Sequence, residues 1–419
     1  MAKTLYLCYF SLREPLVQTQ VLPYLREIKK DGIEIFLLTF EPNPEENWTK
    51  EKIETEKRKL AAEGIFWDFL KYHKRPSAPA TLFDVLCGAI YAWRIARREK
   101  IDVFHARVHT PAMMGAIAKA FLFGKRKPKL LFDIRGFFPE EYTDAGIWKE
   151  NGFLYKTVKK VEKWLLKKSD GFVVLTERAR EILFPESAET GFDKSGRPVE
   201  VIPCCVDFKR FEAVNEELRE EMRRKLKIEN RFVAVYVGAF GGWYLTEETA
   251  DFFAALREKN ESAFALVLTQ SQPEIMKNLL KERGFTEKDF LITKVAPAEI
   301  PVYLIAADIA VSFIKPCYSK QASSPTKNAE YLICGLPVVV NDGIGDTSRF
   351  TREDQTGVII ENFSAESYRK AVAELEKMLE NRKLISEKCR KSARQRFDLQ
   401  TIAGKRYRLV YSRLLKKSQ

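Results

Sequence analysis

Histidine is scarce in this chain, with three in 419 residues, and no Asp-x-Asp segment occurs. Metal chemistry built on imidazoles or paired aspartates therefore has little to stand on, and no metal is expected. The cysteines Cys8, Cys87, Cys204, Cys205, Cys317, Cys334 and Cys389 are odd in number and scattered. They give no ligand spacing, and the adjacent Cys204-Cys205 pair at a strand end reads as packing. No stretch approaches the ~20 uncharged apolar residues of a membrane span. The strand-like run Leu5–Phe10 begins almost at once, without a basic-then-apolar leader, so a cytoplasmic protein is expected.

What is present is material for cores. Hydrophobic residues make up 45% of the chain, including 29 Phe, and the length exceeds what one core serves, so two domains are expected. The 71 Lys+Arg against 58 Asp+Glu give a formal charge of +13. Such an excess suits nucleic acid, anionic headgroups or a pyrophosphate-bearing substrate. The basic residues are spread along amphipathic patterns such as Tyr91–Lys100 and Thr157–Lys168, with no nucleic-acid motif. Nucleic acid is thus not expected as a partner, and an anionic membrane surface is the better specific reading, with peripheral association at its inner face.

Short β-rich runs alternate with helical patterns from end to end, the sequence form of parallel sheets wrapped by helices. The first half offers strands at Leu5–Phe10, Ile33–Phe40, Val103–His105, Lys129–Ile134, Gly171–Leu175 and Val199–Pro203. A second series runs through Phe232–Val237, Ala263–Leu268, Phe290–Thr293, Asp308–Phe313, Pro337–Asn341 and Gly357–Ile360. The class is α/β, two doubly wound units in tandem, and the charged segment Asp207–Arg231 is read as the hinge. Three helical patterns close the chain, the last striped with Ile402, Tyr407, Val410, Tyr411 and Leu414.

The most informative stretch is Ser323-Ser324-Pro325-Thr326-Lys327-Asn328-Ala329-Glu330, running on to Gly335-Leu336-Pro337-Val338-Val339-Val340. Ser324 before Pro325 offers an N-cap oxygen, and Gly335 a stop, so a helix is expected between them. Its amide end carries partial positive charge, and Lys327 in the first turn would be tolerated if an anion such as a diphosphate sat between the two. Glu330, one turn on, has the reach to accept hydrogen bonds from a ribose. Taken alone, the same residues make a solvent-facing Lys–Glu pair. The second stretch, Gly238-Ala239-Phe240-Gly241-Gly242-Trp243-Tyr244, lies between a strand and a helix, where glycines let backbone approach a phosphate. It carries neither a dinucleotide fingerprint nor a P-loop lysine.

Together these stretches resemble the donor half of retaining glycosyltransferases of family 4 (glycosyltransferase group 1), a resemblance extending over nearly the whole chain. It implies a GT-B fold, with two Rossmann-like domains facing across a cleft. Residues 1–206 would be the acceptor side, 207–397 the donor side, and 398–419 would return to the first domain. It further implies metal-independent transfer of a sugar, with retention, from a nucleoside-diphosphate sugar to a glycan or lipid-linked acceptor, as in polysaccharide biosynthesis. No cofactor beyond the donor is expected. Glu330 takes the place of the family's ribose-binding glutamate, while Ala322 stands where the family has another glutamate on the sugar. The basic residues usual after the first glycine are missing, which leaves Lys327 to serve the diphosphate with Ser324, Thr326, Gly241, Gly242 and Tyr244.

In the first domain Arg13 follows the opening strand and is an acceptor candidate; a surface arginine is the plainer alternative. His105, Arg107 and His109 cluster at one strand end, and Asp133 with Arg135 at another. Alternation puts Asp133 and Arg135 on one side, as an internal salt bridge or an acceptor feature. His105 and Arg135 are taken as catalytic candidates, and Arg107, Asp133 and Glu141 as acceptor-binding ones. The rival readings are a nucleotide-sugar epimerase or hydrolase on the same fold, and a catalytically silent scaffold, which Ala322 makes plausible.

Overall fold

The computed structural model describes residues 1–123 and 127–416; residues 417–419 of the expected last segment lie outside it. The chain divides into two units. The first is Met1–Pro203 joined by the segment from Leu399 onward, and the second is Cys204–Asp398.

The sheet of the first unit contains β1 (Lys3–Leu7), β2 (Glu34–Glu41), β3 (Ile65–Lys71), β4 (Val103–Arg107), β5 (Lys129–Asp133), β6 (Gly171–Val174) and β7 (Val199–Val201). All pair in parallel, in the order β3-β2-β1-β4-β5-β6-β7. Strands covered on both faces need unbroken apolar runs, and β1, β4 and β5 are buried almost throughout. β3 is additional to the six strands expected. It is an edge strand that buries Ile65 and Trp67 and leaves Phe66 outward, and its Asp68 and Lys71 break the apolar run by which the others were read.

Strand order reverses between β1 and β4. Right-handed crossovers then put the helices after β1 and β2 on one face, and Ser77–Glu99, His109–Ala120 and Phe153–Lys168 on the other. The last helix, Lys405–Leu415, packs in this unit with Tyr407, Val410, Tyr411 and Leu414 buried. Burying Val410 and Leu414 contributes about 1.5–3 kcal/mol each. The fit is close: a β-carbon at Gly171 would come within 2.9 Å of Leu414 Cδ2.

The second unit repeats the plan with β8 (Phe232–Val237), β9 (Ala263–Leu268), β10 (Phe290–Thr293), β11 (Ile309–Ser312), β12 (Val338–Asn341) and β13 (Gly357–Ile360). Its order is β10-β9-β8-β11-β12-β13, again parallel, with the reversal between β8 and β11.

The segment read as a hinge is not one. Phe211, Met222 and Ile228 lie in the core of this unit. Arg219 and Arg223 of the helix Glu216–Leu226 reach Asp308 at 2.7 and 3.3 Å. Most of the segment's charges face water, and these two arginines turn inward to Asp308, where burial acts upward on the carboxyl but Arg382, Arg219 and Arg223 hold it below its usual range. The chain instead passes between units at Pro203 and Asp398, where Val206 N–H donates to Phe397 O at 2.9 Å inside the second unit.

Candidate functional site

In open α/β sheets, ligands bind beyond the carboxyl ends of strands where the order reverses. In the second unit that position is framed by the loop after β8 and the segment after β11. The helix Thr326–Ile333 stands over it, with Pro325 as N-cap and Gly335, at φ +80°, closing its C-terminal end. Tyr331 fixes its height: the phenol accepts from Val237 N–H at 2.8 Å, at the end of β8, and donates toward Val311 O of β11 at 3.4 Å. Asn341, at the end of β12, clamps Ile314 through both its amide atoms at 2.9 Å. Neither positioning residue was picked out in the sequence, because each sits in an ordinary apolar run.

The clamp presents Lys327. Part of its stem is exposed, but Nζ is enclosed and without a hydrogen-bond partner. It lies 4.7 Å from the centre of the Tyr236 ring and 4.6 Å from that of Tyr244. Burial keeps both phenols un-ionised, so neither supplies a counter-charge, and burial lowers the lysine pKa from 10.5 to about 7. Gly238 closes the other side at φ +153°, where a β-carbon would meet Tyr236 Oη at 3.0 Å and Lys327 Nζ at 3.5 Å. A solvent-facing Lys–Glu pair is therefore not what forms. Two further buried atoms, Ser312 Oγ at the end of β11 and Asn328 Oδ1 beside Lys327, also lack hydrogen-bond partners.

Glu330 faces Arg210 instead, at 3.4 Å, and its side chain is 12% exposed. Burial raises its pKa while Arg210 pulls the other way. Arg210 is oriented by a 2.8 Å bond to Pro297 O. A second cation, Lys320, is buried with its Nζ 3.9 Å from the Trp243 ring centre. The glycine loop, which has no basic residue in sequence, thus receives two lysines on its adjacent aromatics Trp243 and Tyr244. Sequence reading missed Arg210 and Lys320 because they are remote from that loop along the chain.

Several expected roles change. Ser324 does not cap the helix; its hydroxyl accepts from Cys204 N–H at 3.1 Å. Gly241 does not offer its amide to a phosphate, because that N–H donates to Thr246 Oγ1 at 2.9 Å in the turn that pairs Gly241 with Tyr244. Gly242, at φ +60°, has open space where a side chain would stand. Thr326 opens the helix beside Lys327. Ala322 is buried at the end of the short 3-10 turn Tyr318–Ala322.

In the first unit the reversal lies between β1 and β4. His105 and Asp133 are fully buried, 3.5 Å apart. His105 Nδ1 contacts Tyr411 Oη at 3.0 Å, which also meets Thr4 Oγ1 at 2.9 Å. Tyr407 donates to Asp133 at 2.8 Å, and Arg135 lies 3.6 Å from the same carboxylate. Burial pushes the His105 pKa down. For Asp133 burial works upward, but Arg135, His105 and Arg107 together hold it well below the usual carboxylate range. These groups dock the last helix on the sheet, so the structure places His105, Asp133 and Arg135, expected as catalytic and acceptor residues, in a buried network with Tyr407 and Tyr411.

Buried atoms without a hydrogen-bond partner remain here too, His105 Nε2 and Asp133 Oδ1 among them, and Arg107 carries two. It bonds Gln20 Oε1 at 2.9 Å, leaving Nε and Nη1 buried without hydrogen-bond partners. The next residue, Val108, is at φ +64°, a conformation a β-branched residue rarely adopts, and such strain collects at functional positions. His109 pairs with Glu162 at 3.1 Å. Arg13 stacks 4.2 Å from the Trp48 ring centre and donates to Asn47 O at 2.7 Å, the plainer of its two readings. Glu141 lies against Gly136, where a β-carbon would approach its carboxylate to 2.8 Å. Among the described residues, no group of three or more His, Cys, Asp or Glu side chains is placed to hold a metal, and no helix is long and apolar enough to cross a membrane.

Two doubly wound parallel sheets in tandem, with the last helix returned to the first, define the GT-B fold. Residues 17–210 match the family model Glycosyltransferase Family 4, and residues 218–396 match Glycosyl transferases group 1. Each half of the chain thus matches a glycosyltransferase family model, and the two halves together have the GT-B fold. It is similar to a 2-deoxystreptamine glucosyltransferase of Streptomyces kanamyceticus, 29% identical over 191 residues. That match spans 44% of this chain and just under half, 46%, of the relative's length. Among solved structures, a glycosyltransferase from Rickettsia africae ESF-5 shares 15% identity with a TM-score of 0.68, covering 99% of this chain and all of the other. Alr3699/HepE of Anabaena, solved in complex with UDP, shares 16% identity with a TM-score of 0.68, covering 98% of this chain and 100% of that one. At such identities the likeness is one of fold.

Proposed function

We propose that the chain transfers a sugar from a nucleoside-diphosphate sugar, and that the second unit holds the donor. The observation carrying this reading is Lys327: a buried ammonium with no partner is costly unless an anion completes it. A diphosphate at the start of the helix Thr326–Ile333 would do so, with the helix dipole acting in the same sense. Glu330, one turn on, would accept the ribose hydroxyls, and Lys320 would add charge beside Trp243. The nucleotide-bound state of Alr3699/HepE on the same fold supports a nucleotide-sugar donor.

In the transfer, the bond from the anomeric carbon to the diphosphate oxygen breaks and a bond to the acceptor hydroxyl oxygen forms on the same face. The acceptor proton passes to the departing diphosphate. Lys327 and the helix amides stabilise charge growing on that leaving group, the role in which fixed electrostatics act most strongly. Retention and metal independence belong to this proposal, as does a glycan or lipid-linked acceptor. On the acceptor side, Arg107 offers unpartnered guanidinium nitrogens. Ala322 favours a second reading, in which the donor is bound but hydrolysed, or not turned over. Thermal-shift titration with nucleoside diphosphates and their sugar conjugates tests the proposal. A ligand at 100 times its Kd stabilises by about 2.7 kcal/mol, and the absence of any shift overturns donor binding. Release of free sugar without acceptor would instead select hydrolysis.

A further inference from the structure

We infer that one helical face of the first unit docks on an anionic lipid bilayer. The helices Ser77–Glu99, His109–Ala120 and Phe153–Lys168 share a face of the sheet, with the middle one packed between the other two and largely buried. An outer helix normally turns a polar stripe to water. Here the first turns of Ser77–Glu99 turn out Leu82 and Phe83, 54% and 53% exposed, followed by Leu86 and Ile90. Phe153, 82% exposed, and Leu154 open the helix Phe153–Lys168 in the same way. Phe121 and Phe123, the latter 87% exposed, follow the middle helix, and Trp93 Nε1 donates to Phe121 O at 3.2 Å, which ties them to the first.

The exposed charge of the two outer helices has one sign, with Glu150 just ahead of Phe153 as an exposed carboxylate at the margin. Past Ile90 the exposed stripe continues as Arg94, Arg97 and Arg98. Past Leu154 it continues as Lys156, Lys160, Lys163, Lys167 and Lys168. The exposed residues of these two helices include no carboxylate: Asp84 and Glu162 are buried, and Glu99 is paired with Lys3 and Arg98. Apolar side chains of this size and number suit entry into the boundary between headgroups and acyl chains. Cations flanking them suit anionic headgroups, at about 1 kcal/mol each near the surface. A protein partner of ordinary composition would be expected to meet a stripe of mixed sign. In a right-handed β-α-β unit each helix starts at the carboxyl end of its strand. The apolar starts of both helices therefore lie at that end of the sheet, the same end as Arg107 and the strained Val108.

The test is co-sedimentation of the full-length protein with phosphatidylcholine vesicles, with and without phosphatidylglycerol. Binding to the anionic vesicles alone is expected. It should fall by more than about tenfold in Arg94→Glu/Arg97→Glu/Arg98→Glu and in Phe83→Ser/Leu86→Ser. Melting of the vesicle-free variants checks their folding, and a nucleotide thermal shift reads donor binding separately, so the two proposals fail independently. Protein left in the supernatant with anionic vesicles overturns the inference, and so does undiminished binding by either variant. A concentration-dependent dimer abolished by Phe83→Ser/Leu86→Ser, without vesicle binding, would assign the face to a second copy and equally overturn it.

Discussion

Both sheets gather cations at the carboxyl ends of their strands, yet the two gatherings are completed differently. In the first unit Arg135 faces Asp133, which also takes the Tyr407 hydroxyl, and His105 meets Tyr411. The protein supplies most of the partners itself, Asp133 from β5 and the two tyrosines from its own last helix, while His105 Nε2 and Asp133 Oδ1 make ion-pair approaches at 3.5 and 3.6 Å in place of a hydrogen bond. In the second unit Lys327 Nζ is enclosed between two un-ionised tyrosines and has no acceptor. A buried charge that the fold completes is architecture, and one that the fold leaves incomplete points to a ligand. Arg107 stands between these cases, with one bond made and two nitrogens unpartnered.

The largest effect should come from breaking the completed side. Asp133→Ala leaves Arg107, Arg135 and His105 buried without their carboxylate, so unfolding free energy should drop by about 3–5 kcal/mol, read by denaturant titration. Tyr407→Phe removes one bond to the same carboxylate and should cost only about 1–2 kcal/mol. Nucleotide affinity measured on whatever folded protein remains should be unchanged. A stable Asp133→Ala protein with lost activity would reverse the assignment and restore a direct role for the cluster.

Lys327→Met makes the opposite signature. Removing a buried ammonium that nothing neutralises should leave the melting temperature of the free protein unchanged or raise it. The affinity for nucleoside diphosphate should fall about a hundredfold, the loss of a charge-assisted contact worth about 1.5–3 kcal/mol. Calorimetric titration and melting on the same preparation separate the two effects. Loss of stability together with unaltered affinity would place Lys327 among the structural cations.

The contrast also has a pH signature. Unfolded, the lysine holds its proton up to about 10.5, whereas the enclosed Nζ holds it only below about 7. Between those values the unfolded state binds more protons, so this residue's contribution to stability rises with pH across the window, and the full cost of the buried charge is felt below it. A bound diphosphate restores the charged form, so binding takes up a proton above pH 7. Nucleoside-diphosphate affinity should weaken as pH rises from 7 to 9, by at most about tenfold per unit, and the slope should vanish in Lys327→Met. A flat profile in the unmodified protein would contradict an anion on Nζ.

These differences set what the sequence disclosed. All six strands of the second sheet were legible, because each is a short apolar run between turn signals. β3 was not, because an edge strand carrying Asp68 and Lys71 lacks that pattern. Lys327 and Glu330 were legible from their place at a helix start after Pro325. Arg210 and Lys320 were not, because only folding brings them to Glu330 and Trp243. Charge alone did not disclose the surroundings of Asp133 and His105, because their partners include Tyr407 and Tyr411, more than 270 residues away. Ser324 misled differently. An N-cap signature is local, but its hydroxyl was taken by the backbone of Cys204.

The smallest effect is expected at Arg13, which tests whether an exposed cation near the β1 carboxyl end belongs to either class. Its guanidinium lies on Trp48, and the loop under it is held by Glu41, which accepts from Ser11 Oγ at 2.5 Å, Leu12 N–H at 2.8 Å and Trp48 Nε1 at 3.0 Å. The loop's shape therefore does not depend on the arginine. Arg13→Ala should lower stability by about 0.5–1 kcal/mol, the worth of an exposed cation–π contact, and leave both donor affinity and transfer rate within twofold of the unmodified protein. Glu41→Gln should cost more than Arg13→Ala, because it weakens every bond that shapes the loop. A transfer rate that falls in Arg13→Ala while donor affinity and melting hold would show that an arginine stacked on its own tryptophan can still meet an acceptor. Completion by a neighbour would then not suffice to call a cation structural at the protein surface, whatever it decides in the core.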